Sequence, residues 1–401
     1  MGGMIASRHR MRNPIGRFAR ARALALRTEA SLLTYYKKLL CPGVTMNIER
    51  IALHRLRIPL TTPYKLSFGA LTHFDTILVE LHGRDGGYGL GEATIVTGYT
   101  DETIDGAWEL VTQIAPRLPG SEAQAVAALL HAYVDAHPFA TTAIQSAAEM
   151  LAGSALLRVR SRTRIPMLGL LNAMDEAGMA REIETLLAAG YRTLKVKVGF
   201  DAGPDAARVR TIQRLVGTRA LIRLDANQGY TRDDACRFAS SLVPEGIELF
   251  EQPCDAADWD AALAVAHVAT VPMMLDESIY GSADIERAAA TGAARYVKLK
   301  LMKLGGLTRL EQGLRLIGRL GMLPVLGNGV ACEIGCWMEA CVARGTIDNA
   351  GEMNGFLKPE IPLLEQGLQV EDGAMVLEPG FEPALDRKRL ARVRIAQAAF
   401  A

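Results

Sequence analysis

The sequence contains few cysteines and histidines, six and seven in 401 residues. The cysteines form no C-x-x-C pair, and the three that lie close together (Cys332, Cys336 and Cys341) have no histidines beside them. A zinc site is therefore disfavoured, because structural zinc is held by closely spaced Cys and His ligands. We interpret the cysteines as buried free thiols of a protein in the reducing cytoplasm.

Long apolar runs and a charge excess are also missing. No apolar stretch reaches the ~18 residues that a membrane-spanning helix needs. The net charge is +1, which argues against a nucleic-acid-binding or membrane-surface protein. The basic residues are nevertheless concentrated in residues 1–45, which hold seven arginines and two lysines against one acid. Because Met46 opens an apparent first strand, we interpret residues 1–45 as a disordered basic extension or a mispredicted start; a transit peptide fits less well.

The rest of the chain divides into two parts. Residues 46–165 mix strand-like runs with alanine- and leucine-rich helical segments, which indicates an α+β domain. From 166 to 365, about eight short β-rich runs alternate with amphipathic helical stretches, which favours a (β/α)₈ barrel. A doubly wound sheet is the alternative, but no G-x-G-x-x-G follows the first strand. Residues 366–401 are predicted to pack back on the first domain. The β-rich runs are MLGLLNA, TLKVKVG, ALIRLDAN, IELFEQP, PMMLDES, YVKLKLMKLGG, LPVLGNG and TIDNAG.

Six of these runs end at a polar residue, and successive ones are 24 to 28 residues apart: Lys197, Asp225, Glu251, Asp276, Lys300 and Asn328. A barrel brings the C-terminal ends of its strands to one face, so these residues are expected to form a ring. A helix N-cap is an alternative role that suits Asn328. It does not suit Glu251, which lies between apolar neighbours and a proline.

Three converging carboxylates would repel one another and raise one another's pKa values. A divalent cation removes that repulsion, and all-oxygen ligation is what Mg²⁺ prefers. No Cys or His joins the ring. The sequence therefore predicts a magnesium site at this face of the barrel.

The run TLKVKVGF places Lys195 and Lys197 on the same side of a strand. Alone, this spacing is typical of a solvated lysine face. Beside a metal-held substrate carboxylate, it suggests a base that removes the α-proton, with the metal stabilising the enediolate. Two ammonium groups ~5 Å apart repel by roughly 3 kcal/mol at an effective dielectric near 20. We therefore expect Lys195 to lower the pKa of Lys197 by about two units.

These motifs resemble the enolase superfamily, in its muconate lactonizing enzyme subgroup. The similarity covers the barrel in order, through KVK, LDAN, FEQP, LDES and KLMKLGG. The first domain, with IPLTTP and GYGLGEA, resembles the capping domain whose loops close over the substrate. The resemblance implies a modified TIM-type barrel, a small-molecule substrate and a homo-oligomer. It also implies Mg²⁺ ligands and a pair of acid/base lysines: Asp225, Glu251 and Asp276 for the metal, and Lys197 and Lys300 for proton transfer.

One position departs from the resemblance. Lys298 replaces the small or amide residue found in many relatives, and it shares a strand face with Lys300. We predict that Lys300 is the acid/base group, because it precedes LMKLGG, and that Lys298 contacts the substrate. Asn227 of LDAN and Asn328 are predicted to bind substrate as well.

After the eighth strand, dipeptide epimerases of this subgroup carry an Asp-x-Asp pair that binds the substrate's ammonium. This chain has GEMNG there, which leaves Glu352 for a cationic nitrogen and Asn354 as a neutral partner. Phe356 is expected to pack against a ring or a substituted ammonium. An ordinary loop acid is an equally good interpretation of Glu352.

The segments around GEMNG look most similar to enzymes acting on proline derivatives. We therefore predict an Mg²⁺-dependent lyase, with cis-3-hydroxy-L-proline as the best single substrate. A racemase or epimerase of amino acids, proline betaine or dipeptides is the alternative. A catalytically dead binding protein is disfavoured by the intact lysines and carboxylates. A sugar-acid dehydratase is disfavoured because those enzymes use a late His–Asp pair, and no histidine follows His267.

Overall fold

A computed structural model describes residues 47–66 and 69–401. The predictions for residues 1–45 lie outside this part of the chain. The five cysteines within it are free thiols, four of them buried. Among its helices, none combines the length and the apolar character that crossing a bilayer requires.

The first domain is built on a four-stranded antiparallel sheet in the order β14-β1-β2-β3. The strands are β1 (Ile48–Leu66), β2 (Gly69–Gly83), β3 (Tyr88–Thr94) and β14 (Arg394–Phe400). β1 carries apolar residues such as Ile51, Leu53 and Ile58 that are fully buried, while charged residues such as Glu49 are exposed. This separation of apolar and polar residues allows one face of the sheet to pack on helices.

Three helices cover that sheet: α1 (Ile104–Ile114), α2 (Ala123–Leu130) and α3 (Pro138–Leu151). Almost every residue of α3 is buried, because the helix packs against both the sheet and the barrel. Glycine allows its close approach to β3. A Cβ at Gly91 would lie 2.1 Å from the carbonyl oxygen of Ala143, which no side chain tolerates.

The second domain contains a seven-stranded parallel sheet in the order β11-β10-β9-β8-β7-β6-β5. Most strands are short and largely buried, as expected when helices cover a parallel sheet. Their bounds are β5 (Gly169–Leu171), β6 (Thr193–Lys197), β7 (Leu221–Asp225), β8 (Ile247–Glu251), β9 (Met273–Leu275), β10 (Tyr296–Leu299) and β11 (Leu323–Leu326).

Helices connect these strands and lie outside the sheet. They are α4 (Glu176–Ala188), α5 (Ala202–Val216), α6 (Arg232–Ser241), α7 (Trp259–Val268), α8 (Ser282–Thr291), α9 (Leu301–Leu304), α10 (Leu307–Arg319) and α11 (Glu333–Ala343). The run YVKLKLMKLGG was predicted as one β-rich unit, but the strand stops at Leu299. Residues Leu301–Leu304 form a helical turn that ends at Gly305 in the left-handed conformation.

The predicted eighth strand, TIDNAG, is not a regular strand. Only Gly351 forms a bridge, parallel to Met167 at the start of the sheet. The neighbouring Glu352 N–H donates to the carbonyl of Leu326 at the other edge, at 3.0 Å. These bonds link the two edges of the sheet. Gly327, at φ 136°, makes room for them, because a Cβ there would lie 2.4 Å from the nitrogen of Glu352.

A small sheet in the order β12-β13-β4 joins the two domains; its strands are β12 (Gln369–Glu371), β13 (Ala374–Leu377) and β4 (Thr163–Pro166). A final helix, α12 (Arg387–Val393), leads into β14. Arg387 of this helix forms two bonds of 2.7 Å to the carboxylate of Glu80 on β2. The segment 387–400 therefore lies on the first domain.

Candidate active site

Three of the predicted ring residues are the last residues of adjacent strands. Lys197 ends β6, Asp225 ends β7 and Glu251 ends β8, and they are paired in register across the sheet. Asp276 and Lys300 each follow directly after a strand, β9 and β10. Two lysines and three carboxylates therefore lie at the C-terminal edge of the sheet, where the spacing placed them.

Buried ammonium groups lie between the carboxylates. The Nζ of Lys195 is 2.8 Å from Asp225 and 2.9 Å from Glu251. The Nζ of Lys298 is 3.0 Å from Glu251 and 3.5 Å from Asp276. Both lysine side chains are only 2% exposed. Charges so deeply buried are tolerated because each has more than one partner of opposite sign.

Asp276 is surrounded by further lysines. Its Oδ2 is 2.8 Å from the Nζ of Lys300, and its Oδ1 is 3.0 Å from the Nζ of Lys303. Lys303 belongs to the LMKLGG motif but was not predicted as a site residue. Its signal in the sequence was a lysine three residues after Lys300, a spacing that brings both to one side of a helical turn.

Lys197 is the most accessible lysine of the ring, with 25% of its side chain exposed. It donates to Asp225 at 2.6 Å and also to Asn227 Oδ1. Asn227 in turn donates to Glu277 at 2.9 Å. Asn227 has φ 42°, a left-handed conformation that is uncommon outside glycine. This turn aims the amide back at Lys197, so the LDAN motif orients a lysine of the ring.

The motif FEQP connects neighbouring strands. Gln252, at φ 34°, accepts a hydrogen bond from the backbone N–H of Asp276 at 3.0 Å. Its amide also donates to Ser278 at 2.8 Å. The side chain therefore fixes the start of the loop that carries Asp276.

The ionisation of the ring follows from these contacts. Burial alone would raise the pKa of Asp225, but Lys195 and Lys197 lower it to about 2. Burial and the nearby Asp225 raise the pKa of Glu251 to about 7. Burial, the largest single effect, and Lys195 lower the pKa of Lys197, in the predicted direction. The opposing effects of Asp225, Tyr64 and Glu352 together outweigh them and raise that pKa overall. The predicted fall in the pKa of Lys197 therefore does not occur while its ammonium lies beside Asp225.

Of the three residues predicted around the GEMNG loop to bind substrate, only one lines the cavity. Glu352 lines the cavity, but its Oε2 accepts from Lys195 at 2.8 Å and from Lys298. Asn354 accepts from Lys358 at 3.2 Å, and Phe356 packs on the hydrophobic core. Neither of the last two is among the residues that line the cavity.

The cavity over the ring is also lined by residues that the sequence did not single out. Tyr64 and Tyr99 reach it from the first domain. The Nζ of Lys300 lies 4.3 Å from the centroid of the Tyr99 ring, a cation–π contact. Gly329 and Val330 complete one side, next to Asn328, which the sequence had predicted for this site. The capping loops were expected to close over the site, but no local pattern identified which side chains do so.

The donor set fits a hard divalent cation. Asp225, Glu251 and Asp276 offer only oxygen, on three successive strands. Within residues 47–66 and 69–401 the buried Glu251 Oε2 accepts no hydrogen bond, and its contact with the Lys195 Nζ at 2.9 Å is an ion pair only. In the same residues no three Asp, Glu, His or Cys side chains are arranged to hold a metal ion, and the ammonium groups of Lys195 and Lys298 lie between the carboxylates.

Two family models match the chain. One, described as enolase C-terminal domain-like, matches residues 178–384. The other, described as the N-terminal domain of mandelate racemase/muconate lactonizing enzyme, matches residues 50–163. Together they cover both domains, and the first alone covers about half of the chain.

Curated relatives are similar over most of their length. An N-succinyl-L-Arg/Lys racemase from Bacillus cereus is 28% identical over 338 residues, 80% of this chain and 87% of the relative. An L-Ala-D/L-Glu epimerase from Bacillus subtilis is 29% identical over 310 residues, 72% of this chain and 83% of the relative. An L-Lys-D/L-Arg epimerase from Methylococcus capsulatus is 31% identical over 288 residues, 65% and 77% of the two chains.

Solved structures share the fold. A muconate lactonizing enzyme from Pseudomonas fluorescens, complexed with muconolactone, superposes with a TM-score of 0.80 and 28% identity, covering 88% of this chain and all of the other. A dipeptide epimerase from Cytophaga hutchinsonii, complexed with Mg and D-Ala-L-Val, gives the same TM-score at 24% identity, covering 89% and 100%. The predicted TIM-type barrel with an N-terminal capping domain is thus confirmed. The chain belongs to the mandelate racemase/muconate lactonizing enzyme family of the enolase superfamily, and it is an enzyme.

Proposed function

We propose that the protein is an Mg²⁺-dependent racemase or epimerase that inverts the α-carbon of an amino-acid-derived carboxylate. One observation carries this proposal. Lys197 ends β6 and Lys300 directly follows β10 of the same sheet; both line the same cavity, and the strands that bear the three carboxylates lie between them. Two bases on either side of a bound carbon are what inversion by proton transfer requires.

Asp225, Glu251 and Asp276 would hold the metal, which when bound supplies a Lewis acid to the substrate carboxylate. The protein's own contribution is to hold and move protons at two ammonium nitrogens. One lysine, in its neutral form, removes the α-proton, and the other, in its charged form, delivers a proton to the opposite face. Asn227 orients the Nζ of Lys197, and the Tyr99 ring packs against Lys300 and limits the access of water.

The relatives support inversion over elimination. Their names specify racemisation or epimerisation of N-succinyl amino acids and dipeptides. Hydroxyproline dehydration, the first prediction from the sequence, needs the same initial proton abstraction and remains a prediction. The two reactions differ only after the proton has left, because elimination also requires a β-hydroxyl as leaving group.

The contacts of Glu352 indicate whether the substrate nitrogen is charged. Its Oε2 is already bound by Lys195 and Lys298. A substrate ammonium would have to compete with two buried ammonium groups for the same oxygen. This favours substrates whose nitrogen is acylated or otherwise uncharged, such as N-succinyl amino acids, over free dipeptides.

Proton NMR in D₂O with Mg²⁺ tests the proposal, using a panel of N-succinyl amino acids, dipeptides, free amino acids and hydroxyprolines. We expect the α-proton signal of one class to disappear while the covalent skeleton stays intact and optical rotation falls. Loss of the signal with a new elimination product would establish a dehydratase and overturn the proposal. The double variant Lys197→Ala/Lys300→Ala, which lacks both proton-transfer groups, is purified and run in parallel and controls for exchange by contaminants.

A further inference from the structure

A half-buried lysine lies just outside the ring. Lys358 follows the short turn Gly355–Leu357, and its Nζ is 4.6 Å from the centroid of the Tyr64 ring. The same Nζ donates to the Oδ1 of Asn354 at 3.2 Å. Within residues 47–66 and 69–401, no carboxylate oxygen is close enough to form an ion pair with it. The Tyr64 ring and the Asn354 oxygens are therefore the direct contacts of this ammonium group, and Glu352 acts on its charge without pairing with it.

Tyr64 connects this lysine with the catalytic cavity. Its ring faces Lys358, and its side chain lines the cavity together with Lys197 and Glu352. Its hydroxyl reaches so close to Gly329 that a Cβ at that position would lie 2.8 Å from it. Glycine at 329 thus leaves the space that the tyrosine fills.

The backbone of Lys358 also contacts β1, the strand of the first domain that carries Tyr64. Its carbonyl accepts from the Thr61 N–H at 2.9 Å and from the Thr61 hydroxyl at 3.2 Å. One residue on, Pro359 bridges Leu60 in antiparallel fashion. The segment 358–359 therefore holds Leu60 and Thr61 of β1 through its main chain, and Tyr64 of the same strand through the side chain of Lys358.

We propose that Lys358 is a positioning residue, which holds Tyr64 of the capping domain against the catalytic cavity by a cation–π contact. Its part in turnover rests on the proposed function of that cavity. A neutral side chain at 358 loosens the segment that carries Tyr64, so the substrate is bound less tightly while the ring lysines keep their positions.

The surroundings of Lys358 make this contact sensitive to pH. Burial lowers the pKa of Lys358 to about 8, although Glu352 opposes the shift. Above that pH the nitrogen is neutral and loses its attraction to the ring. The other groups that act on its charge are Cys336, which raises the pKa, and Lys195 and Lys197, which lower it.

Hydrogen–deuterium exchange tests the contact without any substrate. We compare the full chain with Lys358→Met, Lys358→Arg and, as a matched control, Lys388→Met, which changes an exposed lysine of α12. Lys358→Met should increase exchange in peptides covering residues 61–66 by at least about threefold, whereas Lys358→Arg and Lys388→Met should not. Unchanged exchange in Lys358→Met overturns the proposal. If that variant does not fold, Tyr64→Leu removes the same contact from its other side and must give the same increase.

Kinetics on the substrate identified by NMR test the consequence for turnover. Lys358→Met should raise KM about 3- to 30-fold with little change in kcat. In wild type, KM should rise above about pH 8, and this rise should be absent in Lys358→Arg. In the Tyr64→Leu background, Lys358→Met should add no further effect; independent, multiplicative effects would overturn the proposal. If no substrate reacts, the proposed function fails, while the exchange experiment still decides the contact.

Discussion

The ammonium of Lys195 lies 2.8 Å from the carboxylate of Glu352, which is 157 residues further along the chain. This ion pair joins the second strand of the barrel to the segment that connects its two edges. It also changes the expected role of both residues. Glu352 was predicted to bind a substrate cation, and Lys195 to lower the pKa of Lys197 by repulsion. In the structure Glu352 accepts from Lys195 and Lys298, and the repulsion from Lys195 is too weak to lower the pKa of Lys197 overall.

Replacing Glu352 by glutamine should destabilise the protein. The substitution removes a buried negative charge from Lys195 and Lys298, and each charged hydrogen bond contributes about 1.5–3 kcal/mol. We expect the free energy of unfolding to fall by about 3 kcal/mol in urea denaturation. The exposed Glu360→Gln is the control and should change it by less than about 0.5 kcal/mol. Equal stability of the two variants would show that Glu352 is not required to neutralise the lysines.

Lys197→Ala and Lys300→Ala should each lower the rate of inversion by about 10²–10⁴-fold, because each removes one of the two proton-transfer groups. Each variant should fold, as judged by circular dichroism, and each should retain α-proton exchange from only one enantiomer in D₂O. Lys388→Ala, on the surface, is the control. Normal inversion by either ring variant would remove that lysine from the mechanism.

Chelation by EDTA should stop proton exchange, and added Mg²⁺ should restore it. The physical reason is that Asp225, Glu251 and Asp276 offer only carboxylate oxygens at one edge of the sheet. Mg²⁺ should also raise the melting temperature of the EDTA-treated protein, because a ligand that binds only the native state stabilises it. Full exchange activity after complete metal removal would contradict the assignment of these three ligands.

The stability of the first domain should depend on pH through Glu80. This carboxylate accepts hydrogen bonds from His54 at 2.6 Å and Tyr88 at 2.8 Å, and it pairs with Arg387. Burial opposes the shift, but these partners hold the pKa of Glu80 well below its ordinary value of 4.5. Its contribution is thus complete above about pH 4.5 and is lost as the pH falls towards the lower native pKa.

Unfolding experiments at a series of pH values test this. Glu80→Gln should be less stable than wild type by about 3 kcal/mol near neutral pH. The difference should shrink below about pH 4.5, where the wild-type carboxyl begins to protonate. The exposed Glu49→Gln should show neither effect. A difference that stays constant with pH would mean that the charge of Glu80 is unimportant.

The grouping of residues at the strand ends could be predicted because the βα units of a parallel sheet follow one another at a nearly regular interval. Asp225 and Glu251 occupy equivalent positions of successive βα units, and spacing alone places such residues together. The partners of Glu352 were not predictable in this way, since they depend on how a loop passes over the barrel. Tyr64 and Tyr99 were missed for a similar reason: their position over the ring is set by the packing of one domain on another.

The strand β14 follows the barrel in the chain, although its partner β1 precedes the barrel. It completes the first domain's sheet by pairing with β1, yet it is synthesised after every strand of the barrel. During translation, the outer edge of β1 therefore stays without this neighbour until the ribosome has made the whole barrel. An unpaired strand edge is a template for intermolecular pairing, so the nascent chain carries an aggregation hazard at β1 until β14 has been made.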